Sequence, residues 1–91
     1  MLRLNCFIKI KNDMGAEVLA AARALTAESL RQEGCVAYDV FQSATRIDVL
    51  MICETWRDQA ALDAHTNSEA FKKYVAIMRD NADMKLETFN F

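Results

Sequence analysis

Ten consecutive residues near the start of the chain, LRLNCFIKIK (2–11), alternate between apolar and mostly polar side chains. One face of this segment would carry only apolar residues: Leu2, Leu4, Cys6, Ile8 and Ile10. The other face would carry Arg3, Asn5, Phe7, Lys9 and Lys11. A period of two residues predicts a β-strand with one buried face. Such a strand requires a sheet whose apolar side is covered by other elements, which excludes an all-helical fold.

A long helix is predicted after this strand, over residues 16–33, where Ala, Leu, Glu and Arg predominate and apolar residues recur at helical spacing. Asp13 is the expected N-cap of this helix, and Gly34 is expected to end it. Two strands joined by a tight turn are predicted over residues 35–56, because both arms are rich in β-branched and aromatic residues.

The pairing of these two strands depends on the length of the turn. A two-residue loop at Ala44 and Thr45 would pair Val40 with Val49 and direct Tyr38 towards the core. The outward face would then carry the remaining side chains: Asp39, Phe41, Asp48, Leu50, Ile52, Glu54 and Trp56. A change of one residue in the loop would exchange the faces of the first strand, which leaves the placement of Tyr38 open.

The last third of the chain predicts two helices and a final strand. Asp58 is positioned to cap a short helix through His65, and residues 66–69, TNSE, form a capping box for the next helix. Residues 84–91 alternate again. The order β-α-β-β-α-β predicts an α+β, ferredoxin-like fold with a four-stranded antiparallel sheet, with residues 1–91 as a single domain.

Charge and cysteine content exclude several classes of protein. The 11 basic and 13 acidic residues give a net charge of -2, so nucleic acid is not an expected partner. No apolar run reaches the roughly 20 residues that span a bilayer, so no membrane partner is expected. Three cysteines without metal-ligand spacing are expected to be small buried apolar residues in the reducing cytoplasm, so neither a disulfide nor a metal site is expected. No phosphate-binding loop indicates a cofactor, and none is expected.

The predicted sheet has more apolar surface than its helices can cover. Two helices cover one face, and the other face would carry Phe7, Phe41, Leu50, Ile52 and Trp56. We therefore expect a second copy of the chain to pack against this face, as a homodimer. A ligand cavity is expected between the sheet and the helices of each subunit.

Several residues have chemistry suited to a site. His65 is the only histidine and ordinarily titrates near neutrality, which suits proton transfer, although a histidine at a helix end can instead bond nearby carbonyl groups. Glu54 among apolar neighbours would have a raised pKa and act as a base, or it would pair with Arg3. Trp56 is either an aromatic wall or an interface residue, and Asn5 either orients a substrate oxygen or completes an interface hydrogen bond.

Two stretches, QEGCVAYDVFQS (32–43) and ETWRDQAALDAHTNSEAFKKY (54–74), resemble the antibiotic biosynthesis monooxygenase domain family. The resemblance extends over nearly the whole chain. Members of this family are small dimeric α+β barrel proteins, among them quinol monooxygenases, haem-degrading enzymes and isomerases of phosphorylated autoinducer sugars. The resemblance therefore implies a dimeric α+β barrel and leaves several activities open.

Differences from the branches of this family narrow the activity. Haem-degrading members use an Asn, Trp and His set; Asn5 matches its Asn, but His65 and Val75 stand at the Trp and His positions. The antibiotic-pathway monooxygenases have polar residues where this chain has apolar ones: Ile52, Leu62 and Ala76. YDVFQS (38–43), with Glu54 and His65, is most similar to the quinol-oxidising and autoinducer-isomerase branches.

These features predict a cofactor-independent monooxygenase that acts with dioxygen on a small quinol-like or other electron-rich aromatic substrate. His65 is the expected catalytic base, and Glu54 is the second catalytic residue. The expected substrate-binding residues are Asn5, Phe7, Phe41, Ile52 and Trp56. An isomerase of a small phosphorylated keto-sugar is the alternative enzyme and would need Arg3 or Arg46 as an anion site. A small-ligand-binding dimer without activity is the third alternative.

Overall fold

The computed structural model describes residues 1–91 as seven helices and strands. In chain order they are β1 (Leu2–Ile10), α1 (Gly15–Ser29), β2 (Cys35–Gln42), β3 (Val49–Trp56), α2 (Gln59–Thr66), α3 (Glu69–Asn81) and β4 (Ala82–Asn90). The four strands form one antiparallel sheet in the order β2-β3-β1-β4. This arrangement confirms the predicted α+β, ferredoxin-like fold.

The core lies between one face of the sheet and the helices. β1 is an inner strand, and its five alternating apolar side chains are buried, as predicted. They belong to one hydrophobic cluster with Val18 and Leu25 of α1 and with Val75 and Met78 of α3. No helix of the structure combines the length and the apolar character that crossing a membrane requires.

The turn between β2 and β3 comprises residues 43–48 and is longer than the predicted loop at 44–45. The hydroxyl of Ser43 accepts hydrogen bonds from the backbone N–H groups of Thr45 and Arg46, at 3.2 and 3.1 Å. A serine hydroxyl that bonds the backbone that follows it stabilises a turn. The predicted two-residue loop is therefore wrong.

The longer turn changes the pairing of the two strands. Val40 lies opposite Ile52 rather than Val49, a shift of three residues. An odd shift moves every side chain of β3 to the other face of the sheet, because side chains alternate with a period of two. Four residues predicted on the outward face are therefore buried against the helices: Leu50, Ile52, Glu54 and Trp56. Tyr38 of β2 faces the helices as predicted.

The face of the sheet that points away from the helices keeps large apolar side chains in solvent. Phe7 of β1, Phe41 of β2 and Phe89 of β4 are 41%, 51% and 50% exposed. Phe7 and Phe41 lie on this open face as predicted, whereas Ile52 and Trp56 do not. The open face is therefore apolar at the two edge strands and at β1, and less so at β3 than predicted.

Helix α1 is shorter than predicted at its C-terminal end. It ends at Ser29, and Gly34, with a φ angle of +82°, turns the chain into β2 four residues after the cap at Leu30. Asp13 does not cap the helix. Instead, the side-chain oxygen of Asn12 accepts a hydrogen bond from the N–H of the residue at the N-cap position, at 2.9 Å.

The caps of the other two helices follow the sequence more closely. Asp58 caps α2 as predicted, because its carboxylate accepts a hydrogen bond from the N–H of Ala61 at 2.9 Å. Helix α3 is capped by Ser68, whose hydroxyl accepts a hydrogen bond from the N–H of Phe71 at 3.2 Å. The predicted capping box began two residues too early, since Thr66 is still part of α2.

The position of Gly34 leaves no room for a side chain. A Cβ atom there would lie 2.4 Å from the Cβ of Ala61 in α2, and the backbone angle disfavours any L-residue. We expect Gly34→Ala to lower the free energy of unfolding by about 2 to 4 kcal/mol, from backbone strain and overpacking together. Urea unfolding followed by circular dichroism measures this loss.

The matched control is Gly15→Ala, at the start of α1. Its Cβ would meet Ile10 at 3.7 Å, an ordinary van der Waals distance, and its backbone angle is not positive. We expect this variant to match or slightly exceed the stability of the wild type, because alanine favours a helix over glycine. Equal losses from the two substitutions would contradict this account of Gly34.

Candidate active site

A cavity of about 220 Å³ lies between the sheet and the helices. Its walls are mostly apolar: β1 contributes Leu4 and Cys6, and α3 contributes Val75 and Met78. Sites for drug-sized ligands typically measure roughly 300 to 1,000 Å³. The cavity therefore suits a smaller molecule, of one or two rings.

Five side chains with polar groups interrupt this apolar lining. Glu54 of β3, His65 of α2 and Tyr38 of β2 are buried, whereas Thr66 and Arg79 are exposed to solvent. The buried groups therefore mark the inner end of the cavity and the exposed groups mark its mouth. A ligand would meet a carboxyl group and an imidazole at the inner end and a guanidinium at the opening.

Glu54 is held in place by its neighbour on the same strand. The indole N–H of Trp56 donates a hydrogen bond to Oε1 of Glu54 at 2.9 Å, and the two residues share a face because they are two positions apart. Trp56 is fully buried, and Glu54 is 7% exposed. The second carboxylate oxygen, Oε2, has no protein partner and is not sealed from the cavity. This oxygen is available to a ligand.

His65 packs between two aromatic rings beside this carboxyl group. Its ring is 4.5 Å from the Trp56 ring at an interplanar angle of 33°, and 5.1 Å from the Phe71 ring at 76°. Its Nε2 atom is 3.9 Å from Oε1 of Glu54, beyond hydrogen-bond distance. Its Nδ1 atom is 2.8 Å from Oε1 of Gln32, in the segment between α1 and β2. The imidazole ring is therefore held by Trp56 and Phe71 on two sides and by Gln32 at Nδ1.

Burial shifts the pKa values of these two groups in opposite directions. Burial raises the pKa of Glu54 to about 7, although the hydrogen bond from Trp56 opposes the rise. Burial lowers the pKa of His65 to about 4. Near neutral pH, His65 is therefore uncharged and Glu54 is poised between its protonated and ionised forms. A carboxyl group with this pKa is suited to act as a general base at physiological pH.

These shifts predict how stability depends on pH. The raised pKa of Glu54 stabilises the fold below pH 4.5, and this stabilisation is lost as the pH rises through about 7. The lowered pKa of His65 acts oppositely: stability rises with pH from about 4 to 6.5. In the wild type, the two contributions to the pH dependence of the free energy of unfolding therefore nearly cancel between about pH 4.5 and 6.5.

Glu54→Gln removes one of the two opposing contributions to the pH dependence of the free energy of unfolding. Between pH 4 and pH 8 we expect its free energy of unfolding, relative to that of the wild type, to rise by on the order of 3 kcal/mol. Chemical unfolding at a series of pH values measures this difference. Glu33→Gln, at an exposed carboxyl group, is the control for loss of a charge. A constant difference between Glu54→Gln and the wild type would show that the buried carboxyl does not titrate as described.

The structure brings some of the predicted site residues together and separates others. His65, Glu54 and Ile52 line the cavity, and Trp56 lies directly behind them. The remaining three lie on the open face of the sheet: Asn5, Phe7 and Phe41. These three do not reach the cavity. Arg3 is on the open face as well, where it bonds Thr55 instead of Glu54.

Two residues of the site do not stand out in the sequence. Gln32 lies in an irregular segment between α1 and β2, and nothing in the local pattern indicates that it meets a residue 33 positions away. Tyr38 alternates correctly for the core, but its contact with His65, at 5.6 Å between rings, depends on the packing of α2. The capped start of α2 at Asp58 is the one local signal that fixes where His65 points.

The three cysteines are free; Cys6 is buried as predicted, whereas Cys35 and Cys53 are only half-buried. Cys6 lines the cavity, and burial raises the pKa of its thiol to about 11, so it remains a neutral thiol there. No three His, Cys, Asp or Glu side chains lie together in an arrangement that could hold a metal ion.

Solved structures share this fold closely. A conserved protein of unknown function from Bacteroides thetaiotaomicron VPI-5482, described as a possible oxidoreductase, is 48% identical, with a TM-score of 0.95 over 99% of this chain and 96% of that chain. SnoaB, a cofactor-independent oxygenase from Streptomyces nogalater, has a TM-score of 0.87 over 99% of this chain and 91% of that chain. Its 14% identity shows a shared fold alone.

Sequence comparison gives the family. YcnE of Bacillus subtilis (strain 168), whose name proposes a monooxygenase, is 32% identical over 76 residues, which make up 84% of this chain and 80% of that protein. The family model described as antibiotic biosynthesis monooxygenase matches residues 1–77. The match includes β1, β3 and α2, and hence the whole Glu54, Trp56 and His65 cluster. The chain therefore belongs to the antibiotic biosynthesis monooxygenase family.

Proposed function

We propose that this protein is a cofactor-independent monooxygenase that acts on a small quinol-like or other electron-rich aromatic substrate. The observation that carries the proposal is Glu54, a buried carboxyl group with a pKa of about 7 at the inner end of an apolar cavity. Membership of the monooxygenase family supports it. SnoaB, which shares the fold, is a cofactor-independent oxygenase.

The reaction requires few protein groups, because the quinol itself supplies the electrons that reduce dioxygen. Glu54 removes a phenolic proton, and the resulting anion transfers an electron to dioxygen. Combination of the radicals forms a carbon–oxygen bond, and loss of water leaves a hydroxyquinone. One oxygen atom enters the product and the other leaves as water, and the two electrons that reduce this second atom to water also come from the quinol. The apolar walls keep bulk water away from the intermediates.

We assign the base to Glu54 rather than to His65, the base expected from the sequence. With a pKa of about 4, His65 accepts a proton too weakly to deprotonate a phenol, whereas Glu54 has the pKa that suits a base at neutral pH. Oε2 of Glu54 receives the proton, since Oε1 is occupied by Trp56. Ile52 forms part of the cavity wall, and Trp56 supports the site from behind.

Oxygen uptake tests this function directly. The protein, treated with a chelator, is mixed with hydroquinones of one and two rings in an oxygen electrode, and the products are identified by mass spectrometry. We expect uptake above the uncatalysed rate and a product heavier by one oxygen atom and lighter by two hydrogens. With ¹⁸O₂, one labelled atom should enter the product. Uptake no faster than in buffer across the panel would overturn the proposal.

A second candidate, an isomerase of a small phosphorylated keto-sugar, is favoured by one observation. Arg79 of α3 lines the mouth of the cavity and could meet an anionic group. The arginines expected from the sequence, Arg3 and Arg46, do not line this cavity. Arg79→Gln separates the two candidates. It should weaken binding of a sugar phosphate at least tenfold if the second candidate holds, and leave turnover of a neutral hydroquinone nearly unchanged if the first does.

We propose that a second copy of the chain covers the open face of the sheet. The exposed rings of Phe7, Phe41 and Phe89 are apolar surface of the kind that marks a protein interface. We expect a dimer in analytical ultracentrifugation and a shift to monomer for Phe41→Asp, because a buried, unpaired charge is costly. A monomeric wild type at micromolar concentration would contradict the proposal.

A further inference from the structure

Gln32 contacts the site from outside the helices and strands. It lies in the turn after α1, and its side-chain Oε1 is 2.8 Å from Nδ1 of His65. The imidazole is 1% exposed and packs against the Trp56 ring, so it cannot turn to exchange its two nitrogens without disturbing the core. Nδ1 therefore has a single polar neighbour, and that neighbour is an uncharged amide.

We propose that Gln32 is a positioning residue: its carbonyl oxygen holds the proton of neutral His65 on Nδ1, so that the unprotonated Nε2 faces Glu54. A carbonyl oxygen accepts and does not donate, so a hydrogen bond at this distance requires the proton on Nδ1. A neutral imidazole carries only one N–H, so Nε2 is left with its lone pair. This role rests on the proposed function of Glu54 as the base.

The orientation of this lone pair matters for the carboxyl group beside it. Nε2 is 3.9 Å from Oε1 of Glu54. An imidazolium or an Nε2–H at this place would favour the carboxylate and weaken Glu54 as a base, whereas a lone pair gives it no such support. Gln32 thus acts on Glu54 through His65. The role differs from that of the carboxylate in a Ser-His-Asp triad, which stabilises an imidazolium.

Arg79, at the mouth of the same cavity, is the nearest charged group of the lining, and it is not among the causes of the raised pKa of Glu54. The titratable groups that surround Glu54 are His65, Tyr38, Cys6, Cys35 and Cys53, and of these Tyr38 also contacts His65. Burial raises the pKa of Tyr38 and of the three thiols, so all four groups are neutral at pH 7. The state of His65 is therefore the main electrostatic variable next to Glu54.

The structural alternative is that Gln32 only satisfies a buried N–H group. Under that reading, any acceptor at position 32 would serve equally well. Under the proposal, a charged acceptor would do harm, because a carboxylate bonded to Nδ1 stabilises the imidazolium and places an N–H⁺ opposite Glu54. Gln32→Glu keeps the size and the acceptor oxygen and replaces the amide NH₂ by a negatively charged oxygen, so it separates the two interpretations.

The chain's single histidine makes the test direct. Protein labelled with ¹⁵N-histidine gives one pair of ring-nitrogen signals, and ¹³C labelling of the glutamate carboxyl groups follows Glu54 through a pH titration, with Glu54→Gln used to assign its signal. In the wild type at pH 7 we expect a protonated Nδ1 and an unprotonated Nε2. In Gln32→Glu we expect an imidazolium at pH 7 and a pKa of Glu54 lowered by about 1 to 3 units.

Gln42→Glu is the matched control, because it adds the same charge at an exposed position at the end of β2. It should leave both titrations as in the wild type. A proton on Nε2 in the resting wild type would overturn the proposal, even if Gln32→Glu does not fold. An unchanged pKa of Glu54 in a folded Gln32→Glu variant would also overturn the proposal. These NMR signals are measured without substrate. If they show the expected tautomer but the protein takes up no oxygen with any hydroquinone, the proposed oxygenase function is overturned and the role of Gln32 in holding the tautomer is not.

Discussion

Replacing Trp56 by alanine is expected to lower the free energy of unfolding by about 3 to 5 kcal/mol. Trp56 is the largest fully buried side chain, and it packs against the rings of His65 and Tyr38. Its removal would leave a cavity in the core and deprive Glu54 of its hydrogen-bond donor. For a domain of this size, a loss of 1 kcal/mol lowers Tm by about 4 to 8 °C.

Two further variants separate the packing effect from the hydrogen bond. Trp56→Phe keeps much of the ring volume but removes the indole N–H, so it should lose less stability than the alanine variant and still raise the pKa of Glu54. Ile47→Ala, at a side chain that is 83% exposed, should be nearly neutral. Unfolding is followed by circular dichroism, because Trp56 is the only tryptophan. A loss below 1 kcal/mol for Trp56→Ala would contradict its place in the core.

Replacing Glu54 by glutamine is expected to lower kcat/KM for a hydroquinone by about 10²- to 10⁴-fold, the contribution typical of a general base. Glutamine has nearly the same shape and can still accept the hydrogen bond from Trp56, but it cannot take up a proton at neutral pH. The wild-type rate should rise with pH through the pKa of about 7 and level off above it. The residual rate of the variant should lack this step.

Oxygen uptake across pH 5 to 9 measures both expectations on one substrate. Glu33→Gln removes an exposed carboxyl group and is expected to keep the wild-type profile. Binding of the same hydroquinone in the absence of dioxygen should be nearly unchanged in Glu54→Gln, which would show that the cavity is intact. A variant that retains the wild-type rate and pH profile would remove Glu54 from the role of base.

The sequence predicted those elements whose signals are local. The alternation of residues 2–11 gave the inward and outward faces of β1 correctly, because a period of two in apolar residues depends only on the strand itself. Asp58 gave the start of α2 correctly, because an N-cap bonds the backbone three residues away. The end of α1 was placed too late, because Leu30 and the residues after it have good helical composition and only the turn into β2 stops them.

The candidate site was predicted only in part. His65 and Glu54 were selected for their chemistry, and the structure places their side chains 3.9 Å apart. Their surroundings were predicted wrongly in one respect: Glu54 and Trp56 were assigned to the outward face of the sheet. The reason is the six-residue turn before β3, whose length reverses the faces of the strand. Asn5 and Phe7 lie on the outward face of the sheet, as predicted. They were grouped with Glu54 and Trp56 because all four were expected on that face, whereas the cavity lies on the opposite face of the sheet.

The sequence by itself determined the order of the elements, the buried face of β1 and the membership of the family, since these depend on periodicity, capping and shared motifs along the chain. Only the tertiary structure decided which face of β3 is buried and that Gln32, Glu54 and His65 meet at one cavity. Those contacts join residues from a turn, a strand and a helix. Their geometry depends on strand register and helix packing, and local sequence does not specify either of these.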